Sequence, residues 1–284
     1  MLCPQMRTPV FELHTAYHRL RVTDNAGIRL LKFERNRQSS MLIDDPYETD
    51  FEYPGYFHLA MAIRPDAART LVIGLGGGTV VKRMWRDYPW MHLDAVEIDP
   101  DVIEVARAFF ALPQDPRIRI FEAEGRGFVR LASDIYDIVV IDAFDDDRVP
   151  VPLATEEFMR DVRDRMSEGG VIAYNYIGAI YGAESRLFRS LYRTASNVWR
   201  NLWVFPIGLN EDVTDRTRNV ILLASDTDVD ADAFLERIAS RVEGMVTVPG
   251  FESFGQDWYR GGIRTGDVPI LVERRPVRAR RESR

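Results

Sequence analysis

The chain has 284 residues, 46% of them hydrophobic and 29% charged, with a formal net charge of −7. That length and apolar fraction suit a soluble globular protein of one large or two small domains, and the acidic balance argues against a nucleic-acid-binding body while suiting cationic ligands. One cysteine, Cys3, excludes an internal disulfide framework and points to a reducing cytoplasm. No apolar run approaches the ~20 residues needed to cross a bilayer, and the opening MLCPQMRTPVFEL lacks the apolar segment of a signal peptide.

In chain order, β-like runs are expected at residues 17–23, 28–33 and 41–43, with Asn25-Ala26-Gly27 as a hairpin turn between the first two. They form a small antiparallel lid, assigned to residues 1–50. Pro54-Gly55 interrupts the chain before a helix over residues 56–64, where Tyr56, Leu59, Ala60 and Ile63 recur at helical spacing until Pro65 stops it. Next come an apolar run at residues 71–73, the cluster Gly74-Leu75-Gly76-Gly77-Gly78, a helical segment, and a second apolar run ending on Glu97. That is one βαβ unit of a nucleotide-binding sheet. Its glycines let the backbone approach a ligand at a helix N-terminus, and Glu97 ends the neighbouring strand, where a carboxylate can hold two ribose hydroxyls.

Asp99 caps a helix reaching residue 110, with Pro100 at its first position. Strands follow at residues 118–121 and 137–141, a helix at 155–166 ended by Glu168-Gly169-Gly170, a strand at 171–174, a helix at 184–199, and a last pair of strands at 202–205 and 219–224. This alternation predicts an α/β fold with a Rossmann-like doubly wound sheet, assigned to residues 51–248 with a further helix at 230–242. Residues 249–284 form a C-terminal segment, irregular from 249 to 266 and closing on the arginine-rich tail at 274–284. The tail reads as a solvated end, with an acidic partner or nucleic acid as the minor alternative.

Ligands of such sheets lie outside the carboxyl ends of the strands. The glycine loop follows the first strand, Glu97 and Asp99 the second, Glu124-Gly125 the third, and Asp142-Ala143-Phe144-Asp145 the fourth. These carboxylates would repel phosphates, and the loop lacks the lysine of a Walker motif. A cationic nucleoside, S-adenosylmethionine or its decarboxylated form, suits this edge, with no metal; the glycines alone leave NAD open. Each acid has a plainer reading as a helix cap or loop charge. His58 is as much a helix-face histidine as a site residue, while His14, His18 and His92 read as surface or lid residues, and the tryptophans as core.

Several stretches resemble the spermidine synthase (polyamine aminopropyltransferase) family on the class I methyltransferase-like fold. They are Gln38 in RNRQSSM, the glycine loop, VEIDP at residues 96–100, EGRGF at 124–128, YDIVVIDAFD at 136–145 and TEEF at 155–158, colinear from about residue 17 to 175. The resemblance implies that Gln38 contacts the nucleoside, with Gly74, Gly76, Gly78, Glu97, Asp99, Glu124 and Gly125 around it. It also implies that Asp142, partnered by Asp145, receives the amine and takes its proton. The implied activity is aminopropyl transfer from decarboxylated S-adenosylmethionine to a small-molecule amine, by a cytoplasmic enzyme to which a homodimer is open. There are departures. The family's GGGDGG loop has an aspartate that grips the aminopropyl amine, and Gly77 stands in its place; the family's Tyr-His-Glu triplet is best matched by Phe57-His58-Leu59. The gate-loop prolines fall on Asp146 and Val149, and the tyrosine after TEEF is Met159. These leave two alternatives, a methyltransferase using ordinary S-adenosylmethionine, or a non-catalytic nucleoside-binding homologue.

Overall fold

A computed structural model describes residues 9–144, 149–209 and 215–273. Its N-terminal part is a four-stranded antiparallel sheet in the order β1-β2-β3-β4, comprising β1 (Phe11–His14), β2 (Arg19–Asn25), β3 (Ile28–Phe33) and β4 (Asn36–Leu42). Ala26 (φ 50°) and Gly27 (φ 79°) close the β2–β3 hairpin between Asn25 and Ile28. Two positive-φ residues in a two-residue loop match the twist of the flanking strands. One face of this lid (Leu20, Val22, Leu31, Met41) packs on Val102, Val105 and Phe110 of the body.

The body is a seven-stranded sheet in the order β10-β11-β9-β8-β5-β6-β7. Its strands are β5 (Arg69–Ile73), β6 (His92–Glu97), β7 (Ile118–Glu122), β8 (Tyr136–Ile141), β9 (Met166–Gly178), β10 (Asn201–Pro206) and β11 (Arg218–Ser225). Strands β5 to β9 pair in parallel, while β11 inserts antiparallel between β9 and β10. Residue alternation explains the two layers of helix. Val72, Ile138 and Val140 point into one core with Met84, Ile103 and Phe234, while Leu71, Ile73, Val139 and Ile141 point into the other with Phe158 and Phe188. The helices include α1 (Tyr53–Tyr56), α2 (Leu59–Ile63), α3 (Thr79–Asp87), α4 (Pro100–Phe109), α5 (Gly125–Leu131), α6 (Glu156–Arg163), α7 (Arg186–Ser196) and α8 (Ala231–Ala239). None of the described helices is long and apolar enough to cross a membrane.

Several boundaries differ from expectation for identifiable reasons. The helix expected over residues 56–64 is two short helices, α1 and α2. Pro54 sits in the first turn of α1, and at Gly55 a Cβ would come 2.7 Å from Val248 Cγ1, so the C-terminal segment crosses here. The helix expected over 155–166 stops at Arg163, because Met166 pairs with Tyr136 and starts a long β9; the bulge that follows is where Gly169 takes φ 73°. Helix α5 was not expected, since GRGFVRL carries two glycines and little apolar periodicity; Glu124 caps it. The strand expected over 17–23 begins at Arg19, and residues 15–18 form the β1–β2 loop. Residues 249–273 fold back onto the body, and the arginine-rich tail at 274–284 lies outside the described residues. Phe251 and Phe254 are buried, Tyr259 bridges Val204, and Leu271 bonds through its backbone to Thr194 and Glu156.

Candidate functional site

The glycine loop turns the chain from β5 into α3. Gly74, Gly76 and Gly78 have φ of 97°, 52° and 72°. At Gly74 a Cβ would sit 2.3 Å from the Asp142 carbonyl oxygen, so only glycine allows the ends of β5 and β8 to meet. Among the hydrogen bonds that pin the loop, Leu75 N–H donates to Glu97 Oε2 at 3.0 Å, and Gly77 N–H donates to Ser39 Oγ on β4 at 2.8 Å.

Above it lies a cavity of about 470 Å³, lined on one side by the strand ends and on the other by Tyr17, His18, Phe33, Gln38 and Ser39 of the lid. Among the described residues, three carboxylates line it. Glu97 also accepts the backbone N–H groups of Ile98 (3.0 Å) and Asp99 (3.2 Å); burial raises its pKa, and these N–H bonds oppose the rise. Glu124 accepts the N–H groups of Arg126 (2.9 Å) and Gly127 (2.7 Å), one on each oxygen, as the cap of α5. Asp142 receives Asn175 Nδ2–H on Oδ1 at 2.9 Å and the Tyr53 hydroxyl on Oδ2 at 3.2 Å. Burial pushes the Asp142 carboxyl up to about 6 against the pull of these two donors. Burial, reinforced by Asp142, holds the Tyr53 phenol well above its ordinary pKa. No lysine or arginine is among the described lining residues. The described lining therefore offers negative charge and hydroxyl-binding groups to a ligand, and no lysine or arginine to a phosphate.

Of the residues expected from sequence, Gln38, Gly74, Gly76, Glu97, Glu124, Gly125 and Asp142 line this one cavity. Gly78 does not; it is the left-handed residue preceding α3. Asp99 does not line it either. It is buried at the head of α4, capping the helix through Asp101 N–H, as the Asp99-Pro100 pattern predicts. Asp145, together with Asp146 and Asp147, lies outside the described residues. Phe57 and His58, the best match to the family's Tyr-His-Glu, are both buried and do not line the cavity; His58 Nδ1 lies 2.7 Å from Tyr88 Oη, and Tyr53 brings a hydroxyl to the cavity. Sequence reasoning also missed Asn175 and Ser39. Asn175 had a signal, as a lone amide within the apolar run of β9; its Oδ1 accepts Asn219 Nδ2–H at 3.0 Å, which orients the amide toward Asp142. Among the described residues no three His, Cys, Asp or Glu side chains converge as a metal-ligand set.

A doubly wound sheet with one antiparallel strand, and a glycine loop at the strand ends, defines a domain of the methyltransferase-like fold. The family model described as the spermine/spermidine synthase domain matches residues 56–199, and the chain belongs to this family. The polyamine aminopropyltransferase of Vibrio vulnificus (strain CMCP6) is 29% identical over 196 residues, 65% of each chain, so the match spans just under two thirds of that relative. Among solved structures, a probable spermidine synthase from Corynebacterium glutamicum superposes with a TM-score of 0.74 at 18% identity, covering 95% of this chain and 99% of that one. Human methyltransferase-like protein 13, solved with SAH, gives 0.55 at 23% identity, covering 69% and 90%.

Proposed function

We propose that this protein transfers an aminopropyl group from decarboxylated S-adenosylmethionine to a small-molecule amine, within the cytoplasm. The observation that carries this reading is that Glu97, Glu124 and Asp142 share one cavity with no described lysine or arginine in its lining. A donor that kept its α-carboxylate would add a further negative charge there; the decarboxylated donor carries the ammonium and the sulfonium without it. Glu97 is held at the end of β6 to accept ribose hydroxyls, Gln38 covers the nucleoside from the lid, and Glu124-Gly125 faces the base.

In the transfer, the lone pair of the acceptor amine attacks the carbon beside the sulfonium. A C–N bond forms, the C–S bond breaks, and its electron pair stays on sulfur, leaving neutral methylthioadenosine. The amine must arrive unprotonated, although its ordinary pKa is near 10. Asp142, poised near pH 6 between Asn175 and Tyr53, accepts that proton and orients the amine. The test is turnover with decarboxylated S-adenosylmethionine and putrescine, read as methylthioadenosine release. Release by the wild-type chain, lost in Asp142→Asn, is expected. Nucleoside binding without release would discard the transfer reading.

A further inference from the structure

Asp99, outside the cavity, faces the lid. The β1–β2 loop, residues 15–18, is closed by Thr15 N–H donating to His18 O at 2.9 Å. Within it the Thr15 hydroxyl oxygen accepts the N–H groups of Tyr17 and His18, both at 3.0 Å, and donates its proton to Asp99 Oδ2 at 2.6 Å. A hydroxyl has one proton and two lone pairs, and all three are used. On the other side Asp99 is 1% exposed, accepts Asp101 N–H on Oδ1 at 3.0 Å, and donates its own backbone N–H to Glu97 Oε1 at 3.2 Å. A continuous hydrogen-bonded path thus links the lid loop to the carboxylate that ends β6.

The rest of the lid is held differently. Its sheet packs on α4 through the Leu20, Val22, Leu31 and Met41 face. The loop lies at the end of the first hairpin, and Tyr17 is 50% exposed there, so packing fixes it weakly. Yet Tyr17 and His18 both line the cavity, with His18 stacked on Phe33 (ring centroids 4.2 Å apart).

We infer that Thr15 is a positioning residue: through Asp99 it docks the 15–18 loop so that Tyr17 and His18 form a preformed wall beside Glu97. The inference rests on the reading of the cavity as a nucleoside site, because a wall set in place beforehand spares the ligand the cost of ordering it. It also gives Asp99 a part in binding without contact with the ligand.

Two variants of the full chain test this. Thr15→Val keeps the β-branched shape and removes the hydroxyl; Thr15→Ser keeps the hydroxyl. The probe is 5′-methylthioadenosine, followed by calorimetry, alongside amide hydrogen exchange. Thr15→Val removes the bond to Asp99 and the acceptor of the Tyr17 and His18 N–H groups, and is expected to weaken the probe about tenfold. It should also speed exchange at Tyr17 and His18 while leaving the amides of β5 and β6 protected, and Thr15→Ser should stay within about twofold of wild type. Unchanged binding or unchanged loop exchange in Thr15→Val overturns the proposal, as does faster exchange spread through the central sheet, which marks a merely structural role. If the wild-type chain fails to bind the probe, the nucleoside reading falls, and the exchange measurement alone decides whether Thr15 docks the loop.

Discussion

At the scale of the residue, Asp142 carries a conflict between stability and chemistry. Its folded pKa, about 6, lies above the ordinary 3.8 because burial disfavours the charged form. The folded state therefore holds the proton more tightly than the unfolded chain between these values. The stability Asp142 contributes is present below about pH 4 and is lost as pH rises through about 6. On the proposed reading, the carboxylate at neutral pH is a liability kept for its basicity. Asp142→Asn should accordingly raise the thermal midpoint at pH 7.5, by the equivalent of about 1–2 kcal/mol, while lowering turnover at least ~100-fold. In the wild type kcat/KM should rise with pH through about 6. A destabilised Asp142→Asn protein, or one that keeps its rate, would contradict this account of the residue. Glu97, Glu124 and Asp142 were all legible in the sequence, because a residue that ends a parallel strand faces the ligand edge whatever the strand order. Asp99 carried two readings, helix cap and ligand-binding acid, which look alike in sequence; it is the cap and does not line the cavity. Tyr53 and Asn175 were missed because their closeness to Asp142 arises from packing across the sheet.

At the scale of the element, the glycine loop explains why the family's aspartate is absent. A Cβ at Gly77 would lie 2.9 Å from Phe110 Cδ1 and 3.0 Å from Ser39 Cβ, and its N–H is already bonded to Ser39. The lid and the end of α4 occupy the space that a side chain would need. Gly77→Asp is therefore expected to lower stability by roughly 1–3 kcal/mol through overpacking and to give no gain in aminopropyl transfer. A thermal midpoint at or above wild type with faster turnover would show that the space opens at little cost. The βαβ unit around this loop was readable from its glycines and apolar runs. Its contact with Ser39 was not, since it joins residues 38 positions apart. Helix α5 escaped notice because a capping glutamate, rather than apolar periodicity, starts it.

At the scale of the whole molecule, the alternation of apolar runs foretold the doubly wound sheet and its lid. The insertion of β11 between β9 and β10 depends on long-range pairing that no local pattern records. Nor does the sequence announce the buried polar cluster that joins α2, α3 and the C-terminal segment. There His58 meets Tyr88, and Asp87 accepts both the N–H (3.0 Å) and the hydroxyl (2.6 Å) of Thr247. Burial lowers the His58 pKa from 6.5 to about 4, with Asp87 opposing. Its contribution to stability is present above pH 6.5 and is lost as pH falls toward 4, about 3 kcal/mol across the window. Asp142 titrates in the same window with the opposite sign, so the comparison belongs in the Asp142→Asn background. There the thermal midpoint should fall from pH 6.5 to pH 4, and His58→Gln should flatten that fall; parallel curves would remove His58 from the account.

The most direct measurement of the central claim, an acid-lined cavity shaped for a cationic adenosine derivative, is calorimetry comparing decarboxylated with ordinary S-adenosylmethionine. The account predicts binding of the decarboxylated compound at least about tenfold tighter, as expected when one unpaired carboxylate is kept out of an acidic site. Equal or tighter binding of ordinary S-adenosylmethionine would contradict it.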